Sequence, residues 1–144
     1  MISGVKIKKL TLHKDKRGFF TEILKKPEKI SRGRFAQLSV SKVKKGVIKA
    51  WHLHKKQTDW MCPILGTAKL ALFDTRKKSS TYKKTQEVIF GEKNLQAVKI
   101  PPGVAHGYKV LRGPMYIIYI TSRPYDPEDE IRIPLNDHKI NYQW

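Results

Sequence analysis

The sequence holds one cysteine, Cys62, in 144 residues, which excludes an intrachain disulfide and fits a reducing compartment. No run approaches the roughly 18 apolar residues that a membrane span needs. The first residues, MISGVKIKKLTLHKDKRG, lack the apolar stretch and small-residue cleavage site of a secretory signal. A cytoplasmic protein without a membrane partner is expected. Helical patterning is scarce too: no segment carries a capped 3.6-residue apolar stripe, and residues 21–30 offer at most one short helix. Acidic residues are few, 12 against 30 Lys and Arg, for a formal charge of +18. Such a surface attracts polyanions, so nucleic acid must be weighed first. The lysines are scattered, however, and no RNP aromatic pair, zinc finger or basic helix accompanies them. Nucleic acid is therefore not the expected partner. The same charge can steer a doubly charged small molecule into a cleft.

What the sequence does contain is strand signal. Short alternating or β-branched runs occupy residues 5–12, 34–43, 46–52, 60–64, 68–74, 87–90, 96–100, 107–111 and 115–121. Turn material bounds them, most clearly Arg17-Gly18, Leu65-Gly66, Pro101-Pro102-Gly103 and Arg112-Gly113-Pro114. Nine short strands without linker or repeat predict one all-β domain over residues 1–144, a sandwich or barrel. Trp51, Trp60, Phe73 and Phe90 are expected in its core, Cys62 as a strand or core thiol, and His13 and His138 at the surface.

The chemistry concentrates in GVIKAWHLHKKQTDWMCPILG. Residues two apart on a strand face one side, so His52 and His54 can both point into a barrel. Five residues separate Gly46 from His52, four separate His54 from Asp59, and six separate Asp59 from Gly66. This spacing resembles the first cupin motif, with Asp59 where glutamate is usual. Pro101, Gly103 and His106 resemble the second, P-x-G-x-x-H. The pair implies a cupin-type antiparallel β-barrel, a jelly roll.

A longer resemblance runs over residues 15–144. DKRGFFTE, RFAQLSVSKVKKGVIKAWH, FDTRKKSSTY, IPPGVAHGYKVL, YITSRPYDPEDE and LNDHKINYQW occur in the order found in the dTDP-4-dehydrorhamnose 3,5-epimerase family. Similarity to that family implies a homodimeric isomerase acting on a nucleotide-linked 4-keto-6-deoxy sugar without a cofactor. A base removes a proton beside the keto group and an acid returns one on the other face. By position, the resemblance makes His52 the base and Tyr119 the acid. It gives Arg17, Phe20, Glu22, Gln37, Lys49, His106 and Tyr125 contacts to the nucleotide sugar, the first three often across a dimer interface.

Three positions depart from the family. Asp59 stands where the family has a lysine that steadies the enolate, and His54 where glutamine is common. The aspartate that pairs the family's base lies in a C-terminal extension beyond the position of Trp144, so His52 needs another carboxylate, for which Asp74 is one candidate. His52, His54, Asp59 and His106 also form a three-histidine, one-carboxylate set of the kind that holds a divalent metal. The second reading is therefore a sugar-nucleotide cupin without 3,5-epimerase activity, ligand-binding or metal-dependent. A basic nucleic-acid-associated barrel is the third.

Overall fold

The computed structural model describes all 144 residues. Ten strands and one 3-10 turn, Lys29–Ser31, make up its regular structure. The strands are β1 (Lys6–Lys9), β2 (His13–Asp15), β3 (Gly18–Phe20), β4 (Gln37–Val43), β5 (Ile48–His54), β6 (Asp59–Asp74), β7 (Thr85–Gly91), β8 (Gln96–Ile100), β9 (Val104–Thr121) and β10 (Glu130–Arg132). Every pairing is antiparallel.

Two long strands organise the fold. The first half of β6 lies between β8 and the second half of β9, extending to β1 on one side and β4 on the other. The second half of β6 lies between β7 and the first half of β9, which continues to β5 and β10. The result is two facing layers that share β6 and β9, the jelly-roll arrangement expected. Residues 60–64 and 68–74, read from sequence as separate strands, are one strand bent at Gly66. There φ is +76°, and a Cβ would meet the carbonyl oxygen of Arg112 at 2.6 Å, which only glycine avoids. Residues 107–111 and 115–121 likewise fuse into β9. The expected helix in 21–30 reduces to the 3-10 turn at its end.

Strand alternation sorts the side chains. Met61, Leu70, Leu72, Val104, Tyr108, Val110, Met115 and Ile117 face inward and join Val43, Phe90, Val98 and Ile100 in the main core. The opposite face of the first layer carries Trp60 and Cys62, covered by Leu10 and Ile30. Trp60 Nε1 donates to the Ile30 carbonyl at 2.7 Å. The opposite face of the second layer carries Trp51, Phe73 and Ala105, covered by Ile140, Tyr142 and Trp144. The two chain ends thus shield the outer faces of the barrel, and the four aromatics predicted for the core are all buried. Burial pushes the Cys62 thiol up to about 11, so it is neutral and unreactive at ordinary pH. His13 and His138 are exposed, as expected.

A buried clamp fixes the corner nearest the site. Asp74 accepts from Arg76 Nε at 2.8 Å, from Ser79 Oγ at 2.6 Å and from Thr81 Oγ1 at 2.6 Å. Burial alone would raise its carboxyl, but these hydrogen bonds outweigh burial and hold it well below the usual range. Thr75 Oγ1 donates to the Gly103 carbonyl at 2.9 Å, and Gly103 N donates to the His54 carbonyl at 2.8 Å. The Pro101–Gly103 turn that presents His106 is thereby tied to β5 and β6. Asp74→Asn is expected to cost roughly 3 kcal/mol, because Arg76 loses its charge partner in a half-buried position. Thermal unfolding checks this: a midpoint about 10 °C lower is expected, and an unchanged one would contradict the clamp. A carboxylate with a lowered native pKa contributes stability above its unfolded value, 3.8. That contribution is lost as the pH falls through the lower native value. The wild type is therefore expected to lose its advantage over the variant only in strong acid.

Candidate active site

One end of the barrel is open as a cavity of about 260 Å³ between the layers. This is below the roughly 300–1,000 Å³ of pockets that enclose drug-sized ligands. A sugar ring fits, and anything attached to it must run outward. The lining includes Gln37, Lys49, His52, His54, Asp59, His106, Tyr119 and Tyr125 from the sequence analysis. Arg17, Phe20 and Glu22 do not line it. Arg17 and Phe20 sit on the separate β2–β3 hairpin, and Glu22 pairs with Lys25.

The second layer supplies His52 and His54 from β5, in one strand phase and directed inward, while Trp51 and Leu53 face out. Lys49 lies three residues before His52 and by strict alternation would face away. A register irregularity between Lys49 and His52 returns it to the pocket side. Gly107 permits this distortion, since a Cβ there would fall 2.2 Å from the Ala50 Cβ. His106 pairs with His52 across the strands. Tyr119 and Thr121 project from the first layer, on the same face of β9 as Ile117.

His52 has a carboxylate partner. Its Nδ1 lies 2.7 Å from Glu130 Oε1, a residue only 13% exposed on edge strand β10. Burial would raise the Glu130 carboxyl, but the hydrogen bond to His52, aided by Arg132, prevails and lowers it. An ionised Glu130 accepts a hydrogen bond from Nδ1–H, which keeps the ring proton on that nitrogen and directs the other, unprotonated one to the cavity. Asp74, considered from sequence for this role, is engaged in the clamp and does not reach His52. Tyr119 Oη lies 2.8 Å from Tyr108 Oη. Burial, reinforced by the charge of Asp59, raises the Tyr119 hydroxyl against the hydrogen bonds from Tyr108 and Ser41. Tyr119 therefore holds its proton at neutral pH.

His54, Asp59 and His106 form a second cluster whose ligating atoms all lie within 4.8 Å of one another. Asp59 Oδ2 is 3.3 Å from His106 Nε2 and 3.6 Å from His54 Nε2. These three residues fit a metal ion by donor type and spacing. His52 belongs instead with Glu130, which corrects the four-residue set drawn from sequence.

Glu130, Gln57, Tyr108 and Asp129 were missed in the sequence. Tyr108 had a signal, because it shares strand phase with His106. Glu130 had little, lying in a three-residue strand after a loop.

A family model for dTDP-4-dehydrorhamnose 3,5-epimerase matches residues 1–144. The chain belongs to that family. Among its relatives, the spore coat polysaccharide biosynthesis protein SpsL of Bacillus subtilis (strain 168) is 47% identical, covering 100% of this chain and 97% of that protein. A probable low-salt glycan biosynthesis epimerase, Agl13 of Haloferax volcanii, is 31% identical over 99% of this chain and 94% of its own length. The crystal structure of a dTDP-6-deoxy-D-glucose-3,5-epimerase from Legionella pneumophila in complex with dTDP-4-keto-L-rhamnose superposes with a TM-score of 0.89. It is 28% identical, with 97% of this chain and 78% of that one covered. No helix of this epimerase-family chain is long and apolar enough to cross a membrane.

Proposed function

We propose that this protein is an epimerase of a dTDP-linked 4-keto-6-deoxy sugar, with His52 as base and Tyr119 as acid. The observation that carries the reading is the His52–Glu130 pair on one layer, with protonated Tyr119 on the other and a sugar-sized cavity between. The 4-keto group acidifies the hydrogens on the neighbouring carbons. His52 takes one of them through the nitrogen not bonded to Glu130, and the carbanion charge moves to the keto oxygen. Tyr119 returns a proton to the opposite face, inverting the carbon. Oxidation states do not change, so the reaction calls for no redox cofactor.

Lys49, Gln37 and Tyr125 line the cavity, and Tyr125 also lines a second groove that carries Arg34, Lys56 and Arg123 against one carboxylate, Asp126. That cluster of positive charge suits the diphosphate, and the wider +18 surface would speed its arrival. Arg17 and Phe20 on the hairpin, and Glu22 just beyond it, serve the nucleotide in this reading from a second copy. Phe19 and Phe20 are 56% and 66% exposed and await such a surface, as do Leu38 and Val40 on the outer side of edge strand β4. The active form is accordingly a homodimer, working in the cytoplasm.

Incubation with dTDP-4-keto-6-deoxy-D-glucose, followed by NMR of the product, tests the function. Inversion at C3, C5 or both is expected; unchanged substrate at high enzyme concentration would contradict it. Glu130→Gln is expected to lower kcat on the order of 10²-fold, because the ring loses its anionic partner. KM should stay within about twofold. Unchanged kcat would remove Glu130 from the machinery.

A further inference from the structure

Two tyrosines of one strand meet inside the barrel. Tyr108 and Tyr119 are 11 residues apart on β9. On a straight strand that odd spacing would put them on opposite faces, roughly 36 Å apart. The strand is not straight. Its first half, where Tyr108 pairs with Leu70, belongs to the second layer, and its second half, where Tyr119 pairs with Met61, belongs to the first. Register irregularities between Pro63 and Ala68 of β6 mark the change of layer and shift the strand phase. The two side chains then meet between the layers, Oη to Oη at 2.8 Å.

The pair is uneven. Tyr108 is 3% exposed and belongs to the main core, while Tyr119 is partly buried and packs against that core. Tyr108 Oη makes no other hydrogen bond, so a proton not given to Tyr119 would be left unpaired in the interior. Burial, with the charge of Tyr119 and the hydrogen bond to it, pushes the Tyr108 hydroxyl well above its ordinary value. Tyr119 is raised by burial too, but the bond from Tyr108 pulls it back down. Of the two phenols, Tyr119 releases its proton first.

The direction of the bond decides the chemistry. A phenol has one proton. If Tyr119 donated to Tyr108, the proton that the sugar needs would point into the core. With Tyr108 as donor, the Tyr119 proton is left for the cavity, and the bond strengthens as charge develops on the Tyr119 oxygen. Asp59 lines the same cavity and its charge works against a second anion there, so the phenolate needs such a donor.

We propose that Tyr108 is the positioning residue of the acid: its buried hydroxyl donates to Tyr119, aims the Tyr119 proton at the sugar and steadies the phenolate left behind. This rests on the epimerase reading of the site. In the step concerned, the O–H bond of Tyr119 breaks and a C–H bond forms on the face opposite His52. The electron pair comes from the enolate, whose oxygen returns to a ketone. Tyr119 is left as phenolate and His52 as imidazolium, and proton exchange through solvent restores both. Tyr108 keeps its own proton throughout.

The test is Tyr108→Phe, which removes one oxygen and keeps the ring. Its circular dichroism, and its affinity for dTDP by calorimetry, should match the wild type. With dTDP-4-keto-6-deoxy-D-glucose in D₂O, kcat for inversion should fall about 10–100-fold, the range for losing a hydrogen bond to a charged oxygen. KM should stay within about twofold. Deuterium exchange by His52 should stay within about threefold of wild type, so the ratio of exchange to inversion rises at least about tenfold. A tyrosine that serves packing alone would leave that ratio unchanged. Because Tyr108 acts through Tyr119, adding Tyr108→Phe to Tyr119→Phe should change inversion by less than about twofold. An unaltered inversion rate in Tyr108→Phe, exchange falling in step with inversion, or a further tenfold loss in the double variant, roughly the full single effect, would each overturn the proposal and leave the epimerase reading standing. A wild type that neither exchanges nor inverts would instead overturn that reading, and this proposal with it.

Discussion

Replacing His52 with alanine is expected to lower turnover by at least about 10³-fold, near the upper end of what a general base contributes. The expectation follows from the division of labour in the pocket. Glu130 is engaged with His52 Nδ1 at 2.7 Å. The remaining carboxylate, Asp59, accepts from Gln57 and faces two histidines. His54 and His106 are both turned onto that carboxylate. None of them is poised to replace His52. The fold should tolerate the change, because His52 is 32% exposed and water can reach Glu130 once the ring is gone. Ligand affinity, measured by calorimetry with dTDP, should stay within about threefold. An alanine variant that retained a tenth of wild-type turnover would remove His52 from the base position.

Tyr119→Phe is expected to give a different signature of comparable size. Turnover to the inverted sugar should fall about 10²–10³-fold, since the returning proton has lost its donor. His52 would still remove and replace a proton on its own face. The variant should therefore exchange substrate hydrogen with D₂O while leaving the stereocentre unchanged. Loss of one partner from the Tyr108–Tyr119 pair costs about 1 kcal/mol, too little to unfold the chain. A phenylalanine variant that inverts the sugar at a wild-type rate would assign the acid elsewhere, with Tyr108 the nearest hydroxyl. Exchange lost along with inversion would contradict the separation of base from acid.

Much of this site was legible in the sequence because strands carry a period of two. His52 and His54 had to share a face, and so did Ile117, Tyr119 and Thr121. The turn before His106 announced itself through Pro101, Pro102 and Gly103. The barrel itself followed from closely spaced short runs. Its layering did not, because Gly66 reads as a strand end when it is a bend within β6. Lys49 illustrates a second limit: strict alternation would have turned it outward, and only the irregularity beside Gly107 restores it. Glu130 marks a third. A three-residue edge strand has no periodicity to detect, and its partner lies 78 positions away. The sequence therefore suggested that His52 lacked a carboxylate, while the fold supplies one. The same limit hid Asp129, whose Oδ2 lies 3.6 Å from His54 Nδ1.

The central claim is proton abstraction beside the sugar's keto group by the His52–Glu130 pair. Mass spectrometry of dTDP-4-keto-6-deoxy-D-glucose incubated with the wild-type protein in D₂O tests it most directly. Deuterium is predicted at C3, C5 or both, at a rate at least equal to inversion and abolished by His52→Ala. Sugar recovered without deuterium, from protein shown to bind it, would contradict the account.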